Sequence, residues 1–371
     1  MFKKKSFLGL MTLLSGLLFL SGCSNDNNSK SENEGGGVFT MSNSATGNEL
    51  IQYKIDDDGS LEFKAKIKTS GLGSGTGLGS QGAVIISADK KFIFAVNAGD
   101  NSVSSFKIVS DNDPVLFIGK YNLVGKKPIS ITQRGNLVYV LNSEGATGAS
   151  SIEGFTLNAA TGILTAIPNS STTFAVNVDP AQVSFVYDNI IVVTERGANK
   201  LASYTLSANY VPTNRQEITS QATTPFGFAV GSKGKIYVTE ASAMSSVSSY
   251  MVSSTGAISN ISTLRNNQGG ACWAVLNKAE SIVYSTNFNS HTISSFNIGT
   301  DGKLTATQIA SDLGSGNGPL DAGITRSSNY FYVLAGTSGS ILGYGLNGNL
   351  LTAIPGATIF VPTTSVGLAV Y

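Results

Sequence analysis

A short phrase closed by an aromatic residue recurs seven times along this chain, and its spacing constrains the fold more than any single residue does. The clearest copies are Asn101-Ser102-Val103-Ser104-Ser105-Phe106, Ser245-Ser246-Val247-Ser248-Ser249-Tyr250 and His291-Thr292-Ile293-Ser294-Ser295-Phe296. The closing aromatics Tyr53, Phe106, Phe155, Tyr204, Tyr250, Phe296 and Tyr344 lie 53, 49, 49, 46, 46 and 48 residues apart. A self-similar period of that length, filled with short strands, is the signature of four-stranded propeller blades. Seven periods predict an all-β, seven-bladed β-propeller.

Each period carries the same four strand signals. A run that begins small or Pro-led and turns apolar, such as Ala83-Val84-Ile85-Ile86 or Trp273-Ala274-Val275-Leu276, suits the innermost strand. A β-branched and aromatic run follows, such as Phe92-Ile93-Phe94-Ala95-Val96, whose side chains pack well on a pleated surface. The repeated phrase supplies the third strand. Turn signals at Asp58-Gly59, Thr161-Gly162, Thr255-Gly256, Asp301-Gly302 and Asn347-Gly348 then introduce the fourth, because such turns need a positive φ.

The two ends complement each other. The first period opens on a second-strand signal, Val38-Phe39-Thr40-Met41, and lacks an inner strand; the chain ends on an unpaired inner-strand signal, Val366 to Tyr371. Pairing the C-terminal strand with the N-terminal blade closes the ring and removes the exposed edges that an open sheet would present.

The first residues pose a separate problem. Lys3-Lys4-Lys5 precedes an apolar stretch from Phe7 to Leu20 that is short for a membrane span, and Leu20-Ser21-Gly22-Cys23 fits a bacterial lipobox. The predicted organisation is a lipoprotein signal peptide over 1–22, a lipidated Cys23 with a flexible polar tether over 23–37, and the propeller over 38–371. This places the mature protein in the bacterial cell envelope, outside the cytoplasm and attached to the membrane through its N-terminal lipid, at the outer membrane if the cell is Gram-negative. With Cys23 lipidated, Cys272 is the one remaining thiol, so no internal disulfide can form. Loss of the leader leaves 21 basic against 23 acidic residues, and this near-neutral balance argues against a nucleic-acid partner.

Function on a propeller is expected where the inner strands begin and the second strands end, around the mouth of the central channel. Inner-strand starts place Gln81, Gln182, Trp273 and Asp321 there. Second-strand ends add Asn97, Asn142, Glu195 with Arg196, Glu240 and Asn287.

Weaker signals have plainer readings. Gly77 to Gly82 formally fits G-x-G-x-x-G but leads into an inner strand, so Gly71 to Gly82 is expected to be a long loop bordering the channel rather than a dinucleotide cradle. The single histidine, His291, sits in a turn and is expected to be exposed; Asp56-Asp57-Asp58-Gly59 lacks the ligand spacing of a calcium loop. One histidine and one free cysteine offer no metal-ligand cluster, and no cofactor is expected. Cys272 beside Trp273 reads as packing.

With Lys91 to Asn97 followed by Asn101 to Phe106 as its clearest blade phrase, the chain resembles the seven-bladed lactonase family, including 6-phosphogluconolactonase-like proteins and muconate cyclases, over residues 38–371. The resemblance implies a lactone hydrolase or a related lactonising cyclase, with a His, an Arg and a Glu around the channel mouth. The Glu matches Glu240. Where the family shows Pro-Arg this chain has Pro225-Phe226, and where it shows His this chain has Ala181 followed by Gln182.

The expected activity is hydrolysis of a small or sugar-derived lactone at the channel mouth. Glu240 or Glu195 would serve as base, and Arg196, Gln182, Asn142 and Asn287 would stabilise the oxyanion; Gln81, Asn97, Trp273 and Asp321 would complete the substrate-binding set. The alternative is a non-catalytic surface propeller that binds a ligand or a protein partner, with the Asn and Glu side chains tying blades together. The leader is tested directly: Cys23→Ser should abolish incorporation of labelled palmitate and release the protein from the membrane fraction, and a variant that still labels would refute lipidation.

Overall fold

The computed structural model describes residues 36–144 and 149–371, and over them the chain forms seven antiparallel sheets, six built on consecutive strands and one on the first three strands and the last. The predicted leader, Cys23 and the tether as far as residue 35 lie outside the described residues. One 3-10 turn, Ser232–Gly234, interrupts an otherwise all-β architecture. Blade 1 spans Gly37–Lys68, and blades 2 to 7 begin at Val84, Lys126, Pro180, Pro225, Ala271 and Pro319.

The inner strands are Val84–Ile86, Lys126–Arg134, Pro180–Tyr187, Pro225–Val230, Ala271–Leu276, Pro319–Ile324 and, completing blade 1, Val366–Val370. Each contacts the next, and the last lies between those of blades 7 and 2, so the ring is closed. Second strands such as Phe92–Asn97 and Ile190–Glu195 are buried throughout, being covered on both edges and both faces. Fourth strands mix half-buried and exposed positions, as in Leu61–Lys68, because one face meets water. The predicted hairpin glycines 59, 162, 256, 302 and 348 all have positive φ, between 55° and 93°.

Ring closure follows the predicted pairing. Val38 faces Val370, Phe39 faces Ala369 and Thr40 faces Leu368, with a bulge before Met41. The Thr40 hydroxyl donates to the Gly367 carbonyl at 2.7 Å, and Leu368 packs in one apolar cluster with Val38 and Ile51. Tyr371 stacks on Phe39 at 6.1 Å and donates to Asp111 at 2.6 Å.

Two outer strands are broken. Blade 3 carries Leu164–Ala166 and then Thr172–Thr173, and blade 7 carries Leu350–Ala353 and then Ile359–Phe360, with Pro168 and Pro355 in the gaps. Proline has no N–H to give to a ladder and confines itself to such edges.

Removing residues 364–371 deletes the only partner of Val38–Met41 on the channel side and exposes both seam edges. That truncation should abolish the cooperative thermal transition; a cooperative melt retained near the full-length midpoint would overturn the role given to this strand.

Candidate functional site

The central channel is crossed by its own polypeptide. Fifteen residues join Lys68 to Val84, whereas the other blade-to-blade links have three to six. The end of that long link, Ser80-Gln81-Gly82, passes over the ring centre. Ser80 Oγ donates to the Ile129 carbonyl of blade 3 at 2.7 Å, and the Gly82 carbonyl accepts from Ile131 N–H at 2.8 Å. Gln81 N–H donates to the Ala181 carbonyl of blade 4 at 3.1 Å.

The Gln81 side chain reaches blade 6, donating to the Ala274 carbonyl at 2.9 Å and accepting from Ala274 N–H at 3.0 Å. Gln182 makes the same two-point contact with Phe228 of blade 5, at 3.0 and 2.6 Å. A side-chain amide copies a backbone peptide here and lengthens the inner-strand ladder. Gly227 is required beside it, since a Cβ there would lie 2.0 Å from Gln81 Oε1.

Trp273 and Arg196 secure the crossing segment. The Trp273 indole N–H donates to the Ser80 carbonyl at 2.8 Å, and its ring meets Phe226 edge-on at 5.1 Å. Arg196 lies 5.0 Å over Phe226, donates to the Gly79 carbonyl at 2.8 Å and pairs with Asp179 at 2.7 Å. Arg196 is thus committed to holding the loop.

Behind this plug lies a cavity of about 370 Å³ lined by Gln81, Gln182 and Asp321 with Ile85, Thr132, Ser184 and Leu368. Asp321 is buried and accepts from Gly82 N–H at 3.3 Å. Burial pushes its carboxyl up from 3.8 to about 7, against the opposing pull of hydrogen bonds from Gly82, its own backbone, Gly367 and the Trp273 indole. Of the predicted site residues, Gln81, Gln182, Trp273, Asp321 and Arg196 are therefore brought together around the plug.

The others are not at the channel. Asn97, Asn142, Glu195, Glu240 and Asn287 are fully buried between blades, and none lines the central cavity. Glu240 accepts from Ser220 Oγ at 2.7 Å, Ser246 Oγ at 2.6 Å, Ser248 Oγ at 2.7 Å, Ala222 N–H at 3.1 Å and the Tyr250 hydroxyl at 3.2 Å. A carboxylate so enclosed has no lone pair facing a substrate. Its expected place at the channel mouth is corrected.

Asn97 donates to Ser102 at 3.1 Å and Ser104 at 2.9 Å while accepting from Asn48 at 3.0 Å. Asn287 repeats this with Thr292, Ser294 and Asn266. Asn142 donates to Glu153 at 2.7 Å, which also accepts from the N–H groups of Val124 and Gly125. Glu195 is gripped by Arg215 Nη2 through both oxygens, at 3.0 and 2.9 Å. Arg215, from the fourth strand of blade 4, is a partner that sequence reasoning missed, because the pairing depends on which face of that strand turns inward.

Two single residues also find their places. His291 keeps the predicted turn, with φ of 56°, but is half-buried rather than exposed, and its backbone carbonyl accepts from Leu313 N–H. Burial pushes the Cys272 thiol up to about 12, an inert state for a nucleophile despite the opposing charge of Arg196. Among the described residues, no three His, Cys, Asp or Glu side chains group as a metal site.

Residues 46–175 match the model of the family described as "Lactonase, 7-bladed beta-propeller". The chain is a seven-bladed propeller that is similar to this family over those residues. Its fold is similar to that of a candidate 6-phosphogluconolactonase from Bacteroides uniformis, with 15% identity, a TM-score of 0.74 and coverage of 91% of this chain and 99% of the other. A second such protein, from Bacteroides fragilis, shows 16% identity, a TM-score of 0.70 and coverage of 91% and 98%. The periplasmic gluconolactonase of Pseudomonas aeruginosa shows 13% identity, a TM-score of 0.72 and coverage of 91% and 98%. At these identities the likeness is one of fold. No curated protein sequence matches the chain.

The buried carboxyl gives this propeller a signed pH dependence. Because the folded state holds the Asp321 proton more tightly than the unfolded chain, its contribution to stability is present below about pH 4 and is lost as pH rises through about 7. Asp321→Asn, neutral at every pH, should gain on wild type in melting temperature between pH 4 and pH 8; a difference that stays constant across that range would contradict the raised value.

Proposed function

We propose that the protein hydrolyses a small or sugar-derived lactone in the central cavity, with Asp321 as general base. The observation that carries this reading is the carboxyl of Asp321 at the closed end of a cavity of about 370 Å³, held near neutrality by burial. A base poised close to the working pH gives the best combination of correct protonation state and proton affinity. The site moves accordingly from the loop-covered mouth to the cavity behind the plug.

In the proposed reaction, Asp321 removes a proton from water as its oxygen attacks the lactone carbonyl. The ring C–O bond then breaks, and the departing alkoxide recovers that proton from Asp321, giving the open hydroxy acid. Gln81 and Gln182 each spend one side-chain N–H on a backbone carbonyl, and the remaining N–H of each is suited to the developing oxyanion. Arg196 acts at one remove, by fixing the loop that carries Gln81. We also propose that the enzyme works outside the cytoplasm, tethered through lipid at Cys23.

One observation favours a non-catalytic ligand-binding propeller instead: the two expected carboxylates, Glu195 and Glu240, are both buried and taken up by hydrogen-bond partners. A panel of chemically varied lactones separates the two. Hydrolysis should rise with pH through about 7 and fall by about 10²-fold or more in Asp321→Asn with the fold retained. Activity unchanged in that variant removes Asp321 as base, and binding without turnover across the panel supports the non-catalytic reading.

A further inference from the structure

The internal repeat lets blade junctions be compared, and three of them share a closure that blade 4 lacks. In blades 2, 5 and 6 the residue ending the second strand is Asn97, Glu240 or Asn287, and it is closed off by two third-strand hydroxyls: Ser102 and Ser104, Ser246 and Ser248, Thr292 and Ser294. A group from the preceding blade completes each set: Asn48, Ser220 and Asn266 respectively. In blade 4 the residue is Glu195, and the corresponding third-strand positions hold Lys200 and Ala202. Neither has a hydroxyl.

The preceding blade also withdraws there. The outer strand of blade 3 breaks around Pro168 and ends at Thr173, after which Phe174 to Val178 leave the sheet. A cleft of about 490 Å³ opens between blades 3 and 4, with Glu195 at its base. That volume falls within the range of small-molecule sites, roughly 300–1,000 Å³.

The cleft is built around a fixed guanidinium. Arg215 grips both oxygens of Glu195, donates through Nε to the Tyr204 hydroxyl at 3.1 Å and pairs through Nη1 with Glu217. Lys200 pairs with the other oxygen of Glu217. Burial alone would lower the Arg215 guanidinium, but the Glu217 and Glu195 carboxylates outweigh it and hold it above its ordinary range. Arg215 nevertheless stays 35% exposed, so it is both positioned and reachable.

The chemistry of the lining selects a ligand class. Two carboxylates and two cations alternate in one chain and sum to zero, so a ligand with net charge would bring a charge without a counterpart. A ring carrying adjacent hydroxyls can instead accept from Arg215 and Lys200 and donate to Glu217, with Thr213 and Asn214 at the rim. Exposed Val176 offers an apolar edge for the C–H face of such a ring.

We propose that the cleft between blades 3 and 4 binds a neutral sugar ring, at a site separate from the central cavity and beyond the lactonase reading. Saturation-transfer NMR with the methyl glycosides of glucose, galactose and mannose and with N-acetylglucosamine tests it, with glucuronate and glucosamine as charged counterparts. At least one neutral sugar should show transfer, with affinity weakened about tenfold or more by Arg215→Gln and unchanged by Asp321→Asn. Thr213→Trp, an exposed rim substitution that leaves every ion pair intact, should block binding while preserving the melting temperature. The proposal is overturned by no transfer to any neutral sugar, by preference for a charged one, by binding that survives both cleft variants, or by binding that disappears in Asp321→Asn.

Discussion

The structure depends on polar groups buried where blades meet. A carboxylate or amide withdrawn from water is costly unless its hydrogen-bonding capacity is met in place, and five donors around Glu240 meet it fully. The repeated phrase supplies the hydroxyls. Because alternate residues of a strand face opposite sides, its consecutive serines serve opposite neighbours. Ser104 faces the preceding blade and donates to the Thr69 carbonyl at 2.7 Å, whereas Ser105 reaches the following blade and donates to the Gly162 carbonyl of its hairpin at 3.0 Å. Ser203 and Ser295 make the same forward contact with Gly256 and Asn349. The conspicuous sequence signature is therefore the mortar between blades.

That arrangement explains which parts of the molecule were legible beforehand. The blade count, the strand order and the seam between Val38–Met41 and Val366–Val370 rest on local periodicity, and local periodicity is written along the chain. Gln182 and Asp321, on inner strands, and Gln81, just before one, were also legible as channel residues, since only the innermost strand faces the channel. Glu195 and Glu240 were misplaced for a geometric reason. A second strand lies about 4.7–4.9 Å farther out and is covered by the first, so its terminal side chain turns into the junction rather than the channel.

The plug and the Arg215 pairing were illegible for another reason. Gln81 meets Ala274 across 193 positions of sequence, and nothing in either neighbourhood encodes the other. The one available hint was length, in the Gly-rich link from Thr69 to Ala83, whose glycines let the backbone approach the inner strands closely enough to bond with four other blades. Arg215 gave no hint at all: it lies on an outer strand whose exposed positions normally carry charge without consequence.

Function in a repeat protein must be added against this background of equivalent junctions, and the departures are where ordinary closure fails. At the link between blades 1 and 2, extra chain fills the channel and leaves Asp321 at the end of a cavity. Between blades 3 and 4, missing hydroxyls and a proline-broken strand leave a carboxylate that the Arg215 guanidinium satisfies. Glu195 and Glu240 occupy equivalent positions and carry the same functional group, yet one is sealed and the other sits at the base of an open cleft. Residue type alone could not have separated them. The difference lies in the neighbours: two serines and the end of an intact strand in one case, a lysine, an alanine and a broken strand in the other.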